Sequence, residues 1–350
     1  MRIFVVDDSA FVRKALTRVL ASERGFHVVG EAASGAEALQ RIPIAQPDLV
    51  TLDVAMKGMD GLQVLRALLR WKPTLKVIML SAHTKEGAEA TIEALAAGAA
   101  DFIDKTTFSA LDLDSLQKEV VNRLRVWLPN GADSRAVAGP KADAPVPETL
   151  DQLRRMELCV IGASTGGPAA LQRILERVTA PLPFPVVIVQ HMPAGFTKPF
   201  SQRLNALSGL EVAEAEDGER LLPGKALIAP AGRHLRITSN LAVTLSEQPV
   251  DAKHVPSIDV TMRTAARARP GRTLGVLLTG MGEDGADGLC QIRAGGGMTI
   301  AESEASCVVY GMPRAALLRG GATWMLPLPE ISGVFEAITA ASLEARGARR

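Results

Sequence analysis

Short apolar runs alternate with helix-period stretches along most of the chain, and this alternation constrains the fold more than any other feature. IFVV (3–6), HVVGE (27–31), DLVTL (48–52), KVIML (76–80) and ADFI (100–103) read as strands, and helical stretches follow near 10–22, 35–41, 61–70, 86–97 and 112–127. Five such βα units predict a parallel sheet covered by helices on both faces. Beyond residue 150 the pattern resumes: LCVIG, PVVIVQ, TLGVLLTG and GMTIA again look like parallel strands followed by helices. Between the two series, NGADSRAVAGPKADAPVPET (130–149) has no period and is rich in Ala, Pro, Gly and charge, which reads as a linker. The expected organisation is a first domain over 1–129, the linker over 130–149, and a second domain over 150–350. Within the second, KALIAPAGRHLRITSNLAVTLSE (225–247) alternates with turn signals and predicts an antiparallel hairpin inserted in a doubly wound α/β unit.

Composition excludes several classes of function. At 350 residues, 47% hydrophobic and 22% charged, the chain has material for two or three globular domains. Its net charge of +1 gives no overall field toward nucleic acid or acidic lipid. Three cysteines, Cys159, Cys290 and Cys307, form no paired spacing and predict reduced thiols. The start MRIFVVDDSA turns acidic after one short strand, unlike a signal peptide. No apolar run approaches the ~20 residues of a membrane helix. The expectation is a soluble, cytoplasmic protein without membrane insertion or a nucleic-acid partner.

Acidic and hydroxyl side chains collect at the carboxyl ends of the first strand series. Asp7 and Asp8 follow the first strand, Asp53 ends the third in TLDVAM, Ser81 ends the fourth in MLSA, and Lys105 follows the fifth in DFIDK. In an open parallel sheet these ends share one edge, where ligands bind. Three clustered carboxylates repel one another, and a divalent cation relieves that. A few hard oxygen ligands suit Mg²⁺, and a lysine beside them offers a point charge to a phosphoryl group. Through VVDDSAFVR, LDVAMKGMDGL, MLSAHT and GAADFIDK, residues 1–127 resemble the response-regulator receiver domain. The resemblance implies a flavodoxin-like (βα)5 fold, Asp53 as phosphoacceptor, and Asp7 and Asp8 with Asp53 as the Mg²⁺ site. It also implies that Ser81 and Lys105 contact the phosphoryl group and that Phe102 is the switch aromatic. Thr106 stands where the family usually has proline, and Lys57 replaces another frequent proline. Both bear on switching geometry, and neither touches the acidic cluster.

Residues 159–168, CVIGASTGGP, carry a serine on a glycine-rich turn. Gly162-Ala163-Ser164-Thr165-Gly166 fits G-x-S-x-G, a sharp strand-to-helix turn that exposes Oγ. Pro168 suits the first turn of the next helix, and backbone N–H groups there could stabilise an oxyanion. A phosphate-binding turn is the competing reading. The dinucleotide fingerprint G-x-G-x-x-G fails on the spacing of Gly162, Gly166 and Gly167. A nucleophilic serine needs a base, and His191 ends PVVIVQ on the same sheet edge, one βα unit later. His254, in DAKHVPSID, lies in a loop before a helix and could line the same cleft. The base needs an orienting acid, and LLTGMGEDGADG (277–288) offers Glu283, Asp284 and Asp287, among which spacing does not choose. The chain order Ser, His, Asp differs from the Ser, Asp, His of α/β-hydrolases.

GASTGGP, QHMPAGFT, LTGMGEDGADG and EASCVVYGMPRAA, with LIAPAGRHL and HVPSID, make residues 155–340 similar to the catalytic domain of chemotaxis protein-glutamate methylesterases. The resemblance implies Ser164 as nucleophile, His191 as base and Asp284 as orienting acid. Thr165, His254 and Met281 match positions around that site, Met281 through its backbone N–H at the oxyanion. The implied substrates are methylated chemoreceptors, whose glutamate methyl esters are cleaved to methanol; some members also deamidate receptor glutamines. The implied phosphodonor is a chemotaxis histidine kinase. Mg²⁺ serves the receiver alone, and the esterase reaction is expected to need no cofactor. A DNA-binding output would need a basic recognition helix, which the sequence after residue 150 lacks. A non-catalytic scaffold and an esterase of a non-receptor substrate are the alternatives.

Overall fold

A computed structural model describes residues 1–82, 84–105, 113–128, 152–153, 155–249 and 252–347. Two compact units divide the chain, Met1–Val137 and Ala138–Arg350. The expected linker over 130–149 and Thr106 lie outside the described residues.

The first unit alternates β1 (Arg2–Val6), α1 (Ala10–Ala21), β2 (His27–Ala32), α2 (Gly35–Ala45), β3 (Leu49–Asp53), α3 (Gly61–Trp71), β4 (Lys76–Ser81), α4 (Lys85–Ala96), β5 (Asp101–Asp104) and α5 (Leu113–Arg125). Its five strands pair in parallel in the order β2-β1-β3-β4-β5. This is the flavodoxin-like order, with its switch point between β1 and β3. Polar caps start the helices soon after each strand. Ser9 accepts from the Val12 N–H, Ser34 from Glu37, Asp60 from Gln63 and Thr84 from Gly87. The α2 helix runs past the expected 41 to Ala45, because Pro43 enters only its last turn, where one lost backbone bond is tolerated. Gln46 then closes it in the left-handed region at φ 47°. Ile3, Val5, Leu16, Leu20, Ile78 and Ile103 form the core on one face of the sheet.

The second unit runs β6 (Leu158–Ala163), α6 (Gly167–Leu175), β7 (Val186–Gln190), α7 (Thr197–Leu207), β8 (Glu211–Glu214), β9 (Lys225–Ile228), β10 (His234–Ile237), β11 (Val243–Ser246), α8 (Ile258–Ala268), β12 (Thr273–Leu277), α9 (Ala286–Ala294), β13 (Met298–Glu302), α10 (Met312–Leu318), β14 (Trp324–Leu326) and α11 (Leu328–Gly347). Seven strands form one parallel sheet in the order β14-β13-β12-β6-β7-β9-β8. The antiparallel hairpin is β10–β11 alone, with His234 opposite Ser246. KALI, expected within the hairpin, is instead β9 of the main sheet. Its Ala226, Leu227 and Ile228 are fully buried, as an interior strand requires. From β6 the chain builds toward β7 on one side and returns through β12 on the other, so the carboxyl end of β6 is a switch point. Among the described residues, no helix is long and apolar enough to cross a membrane.

Phe4 on β1 is 1% exposed, and its ring packs where a side chain at Gly30 would stand. Phe4→Ala removes that ring from the core and is expected to cost about 3–5 kcal/mol of stability. Urea unfolding of the first unit, followed by circular dichroism, measures the loss.

Candidate active site

Ser164 is the first residue past β6. Its N–H donates to the Thr279 carbonyl (3.0 Å), and its own carbonyl accepts from the Gly167 N–H (2.8 Å). This closes the turn that feeds α6. Gly166 has φ +79°, and a Cβ there would lie 2.6 Å from the Val308 Cβ, so the turn admits only glycine. The next strand end carries His191, whose N–H donates to the Ala163 carbonyl at 3.0 Å. The β6–β7 register pairs Ala163 with Gln190, which places Ser164 and His191 side by side at the sheet edge.

Asp284 reaches His191 from the loop after β12, with 2.8 Å between Asp284 Oδ2 and His191 Nε2. A carboxylate only accepts, so Nε2 carries the imidazole proton and Nδ1 is the basic nitrogen. Nδ1 is buried and has no hydrogen-bond partner among the described residues. The carboxylate rests on the N-terminus of α8: Oδ1 accepts from Ser257 Oγ (2.9 Å) and the Asp259 N–H (3.0 Å), and Oδ2 from the Ile258 N–H (2.8 Å). Burial by itself would raise the Asp284 carboxyl, but the His191 hydrogen bond and charge and the Asp259 and Ile258 N–H groups outweigh it and hold it at about 2. Glu283 and Asp287, the other two acids of this loop, both bind Arg319. The His254 ring stacks on His191, with centroids 4.2 Å apart and planes at 19°. Thr165 is half-buried, and its carbonyl accepts from Thr279 Oγ1 (2.9 Å). Met281 is exposed.

The first unit gathers its charged groups at the β1/β3 switch point. Carboxylate oxygens of Asp7, Asp8 and Asp53 lie within 4.8 Å of one another. Lys105 Nζ lies 2.9 Å from both Asp7 Oδ2 and Asp53 Oδ2. Burial pushes the Asp53 carboxyl up to about 6; the Lys105 hydrogen bond opposes this and the Asp7 charge adds to it. Ser81 is near this edge in sequence, yet its hydroxyl faces α4, accepting from Thr91 Oγ1 (2.7 Å) and lying 3.2 Å from the Gly87 carbonyl. Phe102 is buried beneath the Arg123 guanidinium, 5.8 Å from the ring centroid. Lys57 is exposed.

Comparison with known proteins agrees with both halves of this picture. The family model for CheB methylesterase matches residues 159–335, and that for the response regulator receiver domain matches residues 3–117. The chain belongs to the CheB methylesterase family. A protein-glutamate methylesterase/protein-glutamine glutaminase of Archaeoglobus fulgidus is 42% identical over 338 residues, covering 95% of this chain and 96% of its own length. One of Symbiobacterium thermophilum is 42% identical over 354 residues, covering 97% of each. The crystal structure of the Thermotoga maritima CheB methylesterase catalytic domain, 40% identical, matches with a TM-score of 0.49 over 52% of this chain and 98% of that one.

Within this CheB-family chain, sequence reading missed the groups that hold the site together. Ser257 and the α8 N-terminus cradle Asp284, and Thr279 braces both Ser164 and Thr165. Ser-Ile-Asp before a helical run was the available signal for Ser257, as an N-cap pattern. Nothing in the spacing marked Thr279. Burial, then the charge of His191, lowers the His254 ring from 6.5 to about 4. The unfolded chain therefore binds that proton first, and folded stability falls as pH drops from 6.5 toward 4. His254→Gln removes this loss. The melting temperature of the variant should fall less than that of wild type over the same interval, and an equal fall would refute the assignment.

Proposed function

We propose that this chain is a phosphorylation-regulated protein-glutamate methylesterase. It cleaves methyl esters on glutamate side chains of bacterial chemoreceptors, deamidates receptor glutamines, and so serves sensory adaptation from the cytoplasm. The observation that carries the catalytic reading is the His191 ring tied at Nε2 to Asp284, with Nδ1 buried and without a partner among the described residues, on the strand end adjacent to that of Ser164. The names borne by relatives that match nearly the whole chain support the substrate class.

In this mechanism His191 Nδ1 takes the Ser164 Oγ proton as Oγ attacks the ester carbonyl carbon. The oxyanion forms against the backbone N–H groups of Thr165 and Met281. As the tetrahedral centre collapses, the imidazolium returns its proton to the departing oxygen. Methanol leaves, and a glutamyl-serine ester remains. A water then loses its proton to Nδ1, attacks the same carbon, and expels Ser164 Oγ, which recovers the proton. Free glutamate is the product. With a glutamine substrate, ammonia leaves in place of methanol. Asp284 stays ionised throughout and stabilises the imidazolium.

The receiver half controls the reaction. Asp53 takes a phosphoryl group from a chemotaxis histidine kinase, and Lys105 holds its oxygens as a point charge. Ser81 turns from α4 to contact the same group, and Phe102 reports the change. Asp7, Asp8 and Asp53 would hold Mg²⁺: three carboxylate oxygens within 4.8 Å of one another are a hard donor set that suits it. Bound there, the ion offsets the negative charge of the carboxylates and the phosphoryl group.

Methanol release from methyl-labelled receptor membranes tests this reading, with and without a small phosphodonor and Mg²⁺. Wild type should release methanol, and faster with the donor; Asp53→Asn should lose that acceleration. Ser164→Ala should be inactive, and Asp284→Asn should lose roughly 10⁴-fold in kcat. Absence of release by wild type from several receptors would point to another ester substrate or to a scaffold.

A further inference from the structure

Gln190 is the last residue of β7, 2% exposed, and takes no part in the chemistry described above. Its amide Nε2 donates to two carbonyls, that of Ser164 (2.9 Å) and that of His191 (2.9 Å). Carbonyls only accept, so the amide orientation is fixed: the NH₂ group faces the two backbones and Oε1 is left over. Oε1 is buried and has no hydrogen-bond partner among the described residues. It lies against Gly167, where an added Cβ would come within 2.1 Å of it. A fully desolvated polar atom is expensive, and a glycine is required to make room for it. Both costs accompany an amide that joins the nucleophile's turn to the base's strand end.

We propose that Gln190 is a positioning residue for the ester reaction, fixing the Ser164–Thr165 peptide so that the Thr165 N–H faces the oxyanion. The argument follows from peptide geometry. A trans peptide is planar and its C=O and N–H point in opposite directions. The Ser164 carbonyl is held inward by two donors, Gln190 Nε2 and the Gly167 N–H, which use both of its lone pairs. The Thr165 N–H of the same plane is therefore directed away from the buried amide, toward the open side of the turn. There the N–H after a nucleophile on such a turn stabilises the tetrahedral oxyanion. The second bond, to the His191 carbonyl, fixes the base relative to that plane. Gly167 is thus glycine for the sake of the Gln190 amide, whereas Gly166 is glycine for its own backbone angle.

The inference rests on Ser164 being the nucleophile, and its test reads that group without needing the receptor. Gln190→Met keeps side-chain length and removes both donors and the orphaned oxygen. Gln190→Leu repeats the change with a shorter side chain should the first variant melt early. The full chain is titrated with a fluorophosphonate, which modifies an activated serine through the same kind of oxyanion. Wild type should label, and Ser164→Ala should not. Gln190→Met should label about 10- to 100-fold more slowly at saturating probe, with an unchanged half-saturating concentration and a melting temperature within a few degrees of wild type. A purely structural role would lower melting temperature and active fraction together and leave the rate per folded site intact; that result, or labelling of Gln190→Met at the wild-type rate, overturns the proposal. Methanol release run in parallel separates the two readings, since labelling without release removes the methyl-ester substrate and leaves the Gln190 comparison standing. If wild type releases methanol but resists the probe, the same loss in kcat at constant KM is the expected result, and wild-type kcat overturns it. Neither labelling nor release by wild type would overturn the nucleophile and this proposal together.

Discussion

The catalytic half depends on one largely buried carboxylate, that of Asp284, being held by enough donors. Removing Asp284 from water costs several kcal/mol unless donors replace the lost solvent. Four do so: His191 Nε2, Ser257 Oγ and the N–H groups of Ile258 and Asp259. Two of them are unpaired amides of the first turn of α8, where the helix dipole also favours negative charge. The result is an acid that stays ionised and a histidine with one possible tautomer. Relative to the familiar serine-hydrolase arrangement, in which the acid holds Nδ1 and Nε2 is the base, the two ring nitrogens exchange places. The exchange follows from where the acid comes from: the loop after β12 brings Asp284 to Nε2 and leaves Nδ1 without a partner among the described residues.

That cradle explains the hairpin. His234, on β10, is fully buried; its Nδ1 accepts from the Ser257 N–H (3.1 Å) and its Nε2 lies 3.1 Å from the Pro249 carbonyl. A carbonyl requires a donor, so Nε2–H points at Pro249 and neutral His234 fixes the backbone of Ser257. Ser257 in turn caps α8 and donates to Asp284. A histidine of the hairpin thus supports Asp284 through one intermediary. The inserted hairpin is part of the site's foundation, although it contributes no strand to the main sheet.

The fold was legible because both parallel sheets are buried on both faces, and buried strands announce themselves as apolar runs. β8 and β14 were not: both are short edge strands, β8 half polar and β14 only three residues long. KALI was misassigned to the hairpin because a four-residue run before Pro and Gly looks alike in either setting; only its partners β7 and β8 decide. At the site, Ser164 and His191 each follow directly on a strand end, β6 and β7, and could be placed together from topology. Glu283, Asp284 and Asp287 could not be separated by spacing, since one loop presents all three and only three-dimensional placement sends two to Arg319 and one to His191. Gln190, Thr279 and His234 act through hydrogen bonds to backbone atoms, which leave no pattern in a sequence.

The two switch points hold aspartates largely withdrawn from water under opposite electrostatic conditions. Asp284 has donors enough to fall to about 2, whereas Asp53 is pushed up to about 6 by burial, and Asp7 adds to the rise while Lys105 only partly opposes it. A satisfied carboxylate gains nothing from a new ligand and serves as a fixed charge beside a histidine. An undercompensated one, sharing a single lysine with a neighbour of like charge, is stabilised by whatever brings positive charge to it. The same rule of parallel-sheet architecture therefore places one aspartate against a histidine and another in a cluster of carboxylates around a lysine, the arrangements on which the two proposed roles rest. The difference lies in the number of donors that each loop delivers.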